Sequence, residues 1–315
     1  MDSFSDYLEL LSARSIVSGG LTTGGQWAIE FPPSPLIKFW GVQRGSCWLL
    51  MEALGEAVRV EEGDVFLLCV PRVHVLASDV SVLPVHFDQV LEGRTGNRVR
   101  HGEGDEFFMI GGKVDLDADH GRLLLDALPP LIHVSGKSSE GAALKWLLNE
   151  LFRERENDLP GSETASMQMA HLMFIHLLRA HFAKNEPAPA SWLRAVSDRR
   201  LAPALRLIHG EPGRTWGLEA LAKASSMSRA GFAAYFSAVA GVAPITYLTH
   251  WRMLLAMRML RGTRKTLGEL AETLGYASES SFSNAFKRVV GRSPRAYRDS
   301  AGEGWLLKGE PCFQR

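Results

Sequence analysis

The sequence predicts an α+β chain: an antiparallel β-barrel carrying a helical hairpin, followed by an all-α domain that contains the same helical unit twice. Three observations predict this. Residues 27–90 break into short apolar or β-branched runs separated by Pro, Gly and charged turns. From residue 139 the apolar spacing lengthens to a helical period. The last third of the chain then repeats itself at an offset of 49 and then 50 residues.

The expected strands are Trp27–Phe31, Leu36–Val42, Ser46–Met51, Ala57–Val60, Asp64–Val70 and Ser81–Phe87, with a further one near Glu106–Ile110 in the Gly-rich stretch 93–112. Many short strands with regular turn signals suit a barrel or sandwich. Ser139–Glu156 places Ala143, Trp146, Leu147, Leu151 and Phe152 at helical spacing. Asn157 to Gly161 ends that helix, and Ser162 caps a second running to Phe182. Their Met, Leu, Ile and Phe content exceeds what one barrel face covers, so the hairpin at 139–183 is expected to pair two copies as a two-fold dimer. The predicted organisation is a barrel domain with hairpin at 1–183, a Pro/Ala linker at 184–197, the repeat domain at 198–300 and a tail at 301–315.

Charge is divided along the chain. Residues 1–200 carry 19 Lys/Arg against 27 Asp/Glu, residues 201–300 carry 14 against 6, and the tail balances. A basic domain joined to an acidic one suggests that only the former meets a polyanion. No apolar run reaches the ~18–20 residues of a membrane span, and the acidic N-terminus does not read as a secretory signal. The three cysteines, Cys47, Cys69 and Cys312, form no close pair and no metal spacing, which suits a reducing, cytoplasmic setting.

The repeat has a physical reading. Leu218, Leu221 and Ala222 match Leu267, Leu270 and Ala271. After the turn, Ser228, Phe232, Phe236, Gly241, Pro244 and Tyr247 match Ser278, Phe282, Phe286, Gly291, Pro294 and Tyr297. A short positioning helix is followed by a turn, an N-capping serine and a second helix pinned by phenylalanines at i and i+4. That is a helix-turn-helix, whose second helix is shaped for the DNA major groove. Ile245–Leu260 supplies a long strut between the two units.

Residues 201–298 resemble the DNA-binding domain of the AraC/XylS family of transcription regulators. The resemblance lies in Gly268-Glu-Leu-Ala, in Gly275-Tyr-Ala-Ser-Glu-Ser-Ser-Phe-Ser-Asn-Ala-Phe-Lys-Arg, and in Gly291-Arg-Ser-Pro-Arg-Ala-Tyr-Arg298. Leu218-Glu-Ala-Leu-Ala, Met227-Ser-Arg and Tyr247-Leu-Thr-His-Trp-Arg-Met253 carry it in the first half. The N-terminal part is similar to the cupin-like sensor of one branch in Gly45-Ser-Cys-Trp-Leu49, Glu62-Gly-Asp64, Pro71 to His74 and Leu128-Pro-Pro130. The implied function is sequence-specific regulation of transcription, with double-stranded DNA, a small-molecule effector, a second copy of the chain and RNA polymerase as partners, and no membrane.

By family position, base contacts fall to Ala230, Ala233 and Ala234 in the first recognition helix and to Glu279, Ser280, Ser283 and Asn284 in the second. Asn284 can pair with adenine and Glu279 can accept from cytosine, whereas alanine offers only a methyl contact to thymine. Ser228, Arg229, Arg252, Lys287, Arg288, Arg292 and Arg295 are the expected phosphate contacts.

In the barrel, Trp40, Cys47, Trp48, Cys69 and His74 are the expected effector pocket. Only His74 holds a metal-ligand position of the cupin pattern, and Trp40 replaces another, so no metal or other cofactor is expected. His171, His176 and His181 are five residues apart, a rotation of ~140° per step, and share no helix face. Cys47 and Cys69 read as buried core residues or, alternatively, as a pair able to meet or to bind an electrophile. The Gly-rich stretch lacks the Gly-Lys-Ser/Thr of a phosphate loop, and no Gly-x-Ser-x-Gly elbow exists. A cupin-fold enzyme with a DNA-binding appendage remains the alternative reading.

Overall fold

The computed structural model describes residues 2–92, 98–157, 159–183 and 190–300. Helix α1 (Ser3–Leu11) comes first, its amides capped by Asp2, and leads into β1 (Arg14–Thr23), β2 (Ala28–Phe31), β3 (Ile37–Arg44) and β4 (Ser46–Leu50). Then come β5 (Val58–Glu61), β6 (Val65–Leu68), β7 (His74–Ala77), β8 (Val85–His86), α2 (Phe87–Leu91), β9 (Arg98–His101), β10 (Phe107–Asp115), α3 (Ala118–Ala127) and β11 (Leu131–Val134). The helical remainder is α4 (Gly141–Asn157), α5 (Ser162–Ala183), α6 (Trp192–Ser197), α7 (Ala202–Gly210), α8 (Leu218–Ala224), α9 (Arg229–Ala240), α10 (Pro244–Gly262), α11 (Leu267–Thr273), α12 (Glu279–Val290) and α13 (Pro294–Asp299).

These elements form two units. One holds the strands with α2, α4 and α5. The other gathers α1, α3 and the helices from α6 onward.

In the strand unit, a six-stranded sheet of order β11-β6-β3-β10-β1-β9 faces a five-stranded sheet of order β5-β4-β7-β2-β8 across one apolar core. The pairings are antiparallel except β1 with β9 and β2 with β8. Strand alternation sends Leu21, Trp40, Val42, Cys47, Leu49, Phe66 and Met109 inward. Gly111 and Gly112 on β10 are required by close packing: a Cβ at Gly111 would meet the Trp40 ring at 2.1 Å, and one at Gly112 the Phe39 ring at 2.2 Å. The hairpin of α4 and α5 covers the outer face of the six-stranded sheet, with Leu148 seated on Gly41.

Expectation and structure part at several places. Ser81–Phe87 is not a strand: β8 spans two residues and Phe87 begins α2. Strands β1, β7, β9 and β11 and helices α1 and α3 were absent from the expected set.

In the other unit α1 docks on the helical domain. The Tyr7 ring stacks on Trp192 at 4.1 Å and lies 4.9 Å from Trp251. Asp6 accepts from His209 Nδ1 at 3.0 Å, while Tyr247 O–H donates to Nε2 at 3.0 Å. Burial holds the His209 imidazole below its ordinary value, against the pull of Asp6. Helix α3 is fastened by His120, which lies 2.6 Å from Asp117 Oδ1 and 3.0 Å from the Leu254 carbonyl, and by the Arg261–Asp117 pair at 3.1 Å. Burial pushes the Asp117 carboxyl up, but the His120 bonds and the charge of Arg261 outweigh it and hold it below the usual range.

Candidate nucleic-acid interface

Each helical unit is built from the same bonds. Leu221 and Ala222 on α8, and Leu270 and Ala271 on α11, bury the short helices. Met227 N donates to Ala222 O at 3.0 Å, and Tyr276 N to Ala271 O at 2.8 Å, one offset of 49 apart. The left-handed turn position is Ser226 (φ 54°) in the first unit and Gly275 (φ 75°) in the second. Ala277 is the added residue that lengthens the second turn.

Beyond it, Ser228 Oγ accepts from Gly231 N and Ser278 Oγ from Ser281 N, each at 3.1 Å. These are the N-caps that each second helix needs. Helices α9 and α12 are both 12 residues long and end on left-handed glycines, Gly241 and Gly291. Phe232 and Phe236 are fully buried, as are Phe282 and Phe286, and each such side chain contributes roughly 1.5–3 kcal/mol. Phe236 meets Tyr247 edge-on at 5.5 Å, and Phe286 meets Tyr297 at 5.6 Å. With one face pinned, the opposite face is left to solvent.

On α9 that face carries Ala230 and Ala234, exposed, and Ala233, half-buried. On α12 it carries Glu279, Ser280 and Asn284, exposed, and Ser283, half-buried. Ser280 Oγ shares a hydrogen bond with the capping Ser278 at 2.9 Å, so part of its capacity is committed to the helix start. Arg229, Lys287, Arg288 and Arg295 are exposed cations around the two helices, and Ser228 is exposed with its oxygen used as a cap.

Two of the expected phosphate contacts also make bonds within the fold. Arg252 on α10 is half-buried; its Nε donates to Pro212 O at 2.7 Å and its Nη2 to Arg214 O at 3.0 Å, while its guanidinium lies over Tyr276. It joins the loop before α8 to the turn before α12, where Gly213 and Gly275 pack backbone against backbone. Arg292 lies over the Tyr297 ring at 4.5 Å and donates to Ser300 Oγ at 2.9 Å.

Asp198, which sequence reading passed over, anchors the first recognition helix. Its carboxylate caps Arg200 N and Leu201 N and accepts from Tyr235 O–H at 2.7 Å, and Arg200 stacks on that tyrosine. The only sequence signal was an aspartate four residues before an apolar helix.

The barrel residues divide differently from the expectation. Trp40, Cys47, Cys69 and His74 are buried, but Trp48 is not among them. It follows Cys47 on β4, so alternation turns it outward, where Arg59 covers its ring at 5.5 Å. Trp40 and Cys47 pack into the apolar core, whereas Cys69 and His74 are buried outside that cluster. Trp40 Nε1 and His74 Nε2 are buried without a hydrogen-bond partner among the described residues, and Phe31 stands between the two rings.

A cleft of about 650 Å³ reaches His74 from the β4 and β7 ends. Burial, with Lys38 nearby, holds the His74 imidazole down at about 4. Burial pushes the Cys47 thiol well above its ordinary value and the Cys69 thiol to about 12, so neither is a ready nucleophile. Among the described residues no group of three or more His, Cys, Asp or Glu side chains is placed to hold a metal ion. No single described helix is long and apolar enough to cross a membrane.

Two capped helix-turn-helix units with open second helices, on a basic domain behind a barrel, define a DNA-binding transcription regulator. Similarity to known proteins supplies the family. A cupin family matches residues 2–183, and a helix-turn-helix domain family matches residues 221–300. An AraC-like transcription regulator from Streptomyces lividans is 38% identical over 298 residues, 95% of this chain and 98% of that one. The regulator AlkR of Acinetobacter baylyi is 28% identical, over 89% and 93% of the two chains. Among solved structures, the DNA-binding domain of AdpA in complex with a target DNA aligns at 30% identity over 33% of this chain and 93% of that one, with a TM-score of 0.31. The chain belongs to the AraC family of transcription regulators.

Proposed function

We propose that this regulator is a one-component switch in which a small molecule held by the strand unit alters operator occupancy by the helical unit. It works in the cytoplasm, where its DNA is, as a sensor and not an enzyme. RNA polymerase is the partner through which bound protein acts on transcription. The α4–α5 hairpin pairs two copies. Trp146 at 62% exposure and Leu172 at 46% are large apolar side chains left uncovered on it, which supports an isologous contact. Sedimentation of the full chain at tens of micromolar should give a dimer, and a monomer there would end that part of the reading.

The two recognition helices divide the work. The observation that carries this is the contrast between their outer faces: alanines on α9, and Glu279, Ser283 and Asn284 on α12. The first unit anchors by phosphate contact, thymine methyls and DNA shape, and the second reads bases. Asn284→Ala should weaken binding at the cognate site by about 1–3 kcal/mol and relax preference at one base pair. Arg229→Ala should weaken all sequences alike. Binding-site selection on wild type and both variants tests this. An unchanged motif in Asn284→Ala, with the motif rewritten by substitutions at Ala233 or Ala234, would reverse the assignment.

A further inference from the structure

We propose that the outer face of the six-stranded sheet carries a binding site for a small organic anion with an aromatic body, separate from the barrel interior. Strand alternation turns Leu21, Val42, Val99 and Met109 into the core and leaves their neighbours outside. Beside α4 those neighbours line a cleft of about 670 Å³, within the size range of small-molecule sites.

Three arginines converge on it, Arg44 at the end of β3 and Arg98 and Arg100 on β9, against one lining aspartate, Asp105. That concentration runs against its surroundings. Residues 13–116 and 128–185, which make up the strand unit, carry 15 Lys/Arg and 19 Asp/Glu, a balance of −4.

The arginines are available in different degrees. Arg44 pairs with Asp105 at 3.1 Å, with both side chains at least half exposed, and Arg98 pairs with Glu156 at the rim. Exposed pairs of this kind are weakly held and exchange partners readily. Arg100 is exposed and has no ion-pair or hydrogen-bond partner among the described residues. It is the natural seat for a carboxylate, sulfonate or phosphate group, which guanidinium recognises with paired donors.

Arg44, Phe108, Thr22 and Arg100 lie in one row across the sheet, so the apolar surface sits between the arginines. Phe108 and Phe152 meet edge-on at 5.4 Å, and the Arg98 guanidinium lies over the Phe108 ring at the same distance. A flat aromatic body on these rings would extend that stack. Gln43 adds a polar end. Its Nε2 donates to Asn149 Oδ1 at 2.9 Å, but its Oε1 is buried without a partner among the described residues. A buried carbonyl in that state calls for a donor, so an O–H or N–H on the ligand body completes the site.

This inference deepens the ligand-responsive reading above, and its test is run without DNA, so the two can fail separately. The probe is 8-anilinonaphthalene-1-sulfonate, an anion with an aromatic body and an N–H. N-phenyl-1-naphthylamine, the same body without the sulfonate, is its neutral partner. Equilibrium dialysis against the full-length chain gives affinities independent of fluorescence yield.

The sulfonate should bind at one site per chain, and at least tenfold more tightly than the neutral amine. Arg100→Glu, a change at an exposed position, should weaken it tenfold or more. Arg100→Lys should recover part of the loss, and Phe152→Leu should weaken both probes together. Equal binding of the two probes, or wild-type affinity in Arg100→Glu, would overturn the proposal.

Discussion

Gly275 and Ser226 occupy the same left-handed turn position in the two helix-turn-helix units, and opposite substitutions there should have opposite effects. Side chains at positive φ cost about 1–2 kcal/mol, and Gly275 sits at 75°. In Gly275→Ala the new Cβ would also lie 2.0 Å from Gly213 O and 2.7 Å from Gly213 C, both backbone atoms that no rotamer change can move. The 211–214 loop must therefore withdraw, taking with it the carbonyls of Pro212 and Arg214 that Arg252 binds at 2.7 and 3.0 Å. Hydrogen bonds to charged groups contribute about 1.5–3 kcal/mol each. Arg252 is half-exposed, so about 1 kcal/mol apiece is the better figure after solvent screening. Strain and lost bonds together come to about 3–4 kcal/mol, a large share of the ~5–15 kcal/mol that stabilises a domain. Ser226→Gly relieves the strain at 54° but adds chain entropy to the unfolded state, so it should stabilise by no more than about 1 kcal/mol. Urea unfolding of a 190–300 fragment, followed by the fluorescence of Trp192, Trp216 and Trp251, measures both. Gly275→Ala within about 1 kcal/mol of wild type would refute the interlock between the two units.

The same 190–300 fragment should bind operator DNA with an affinity that falls steeply as salt rises, because its Lys and Arg contacts release counterions. A fragment beginning at 198 lacks the buried Leu193, Ala195 and Val196 of α6 and should unfold at lower urea; equal midpoints would contradict this. The barrel should lose stability in acid. His74 is held neutral down to about 4 against an ordinary 6.5, so between those values the unfolded chain takes up a proton that the folded chain does not. Stability then falls with falling pH across that window, by up to about 3 kcal/mol. His74→Phe, which keeps the stack on Phe31, should flatten the fall in melting temperature between pH 6.5 and 4; an unchanged slope would exclude His74 as its source.

The helix-turn-helix units were legible because their determinants are local and periodic. Ser228 and Ser278 cap, Phe232/Phe236 and Phe282/Phe286 pin, and Gly241 and Gly291 stop their helices, each set within a single helix and its two caps. Strand β1 was not legible because Ser15, Ser18, Gly19 and Gly20 dilute its alternation and a bulge interrupts it. Trp48 was misplaced although alternation alone opposes it to Cys47. The bonds of Arg252 within the fold were not legible because nothing near it in sequence announces the carbonyls of Pro212 and Arg214, some 40 positions away. The docking of α1 was the most hidden of all. Asp6 and His209 are 203 residues apart, and no periodicity records a contact of that span.

That docking sets an order of events during synthesis. Tyr7 leaves the ribosome long before Trp192, the ring it stacks on, and long before His209, the partner of Asp6. At ~5–20 residues per second the interval is on the order of ten to forty seconds, and the whole barrel is made within it. Throughout that time α3 is the only one of its partner helices available to α1, and the surfaces of α6, α7 and α10 do not yet exist. The native packing of α1 is therefore completed only when α6, α7 and α10 have been made. A chain cut short anywhere in the barrel would carry α1 without α6, α7 and α10, and so with most of its apolar face unmatched.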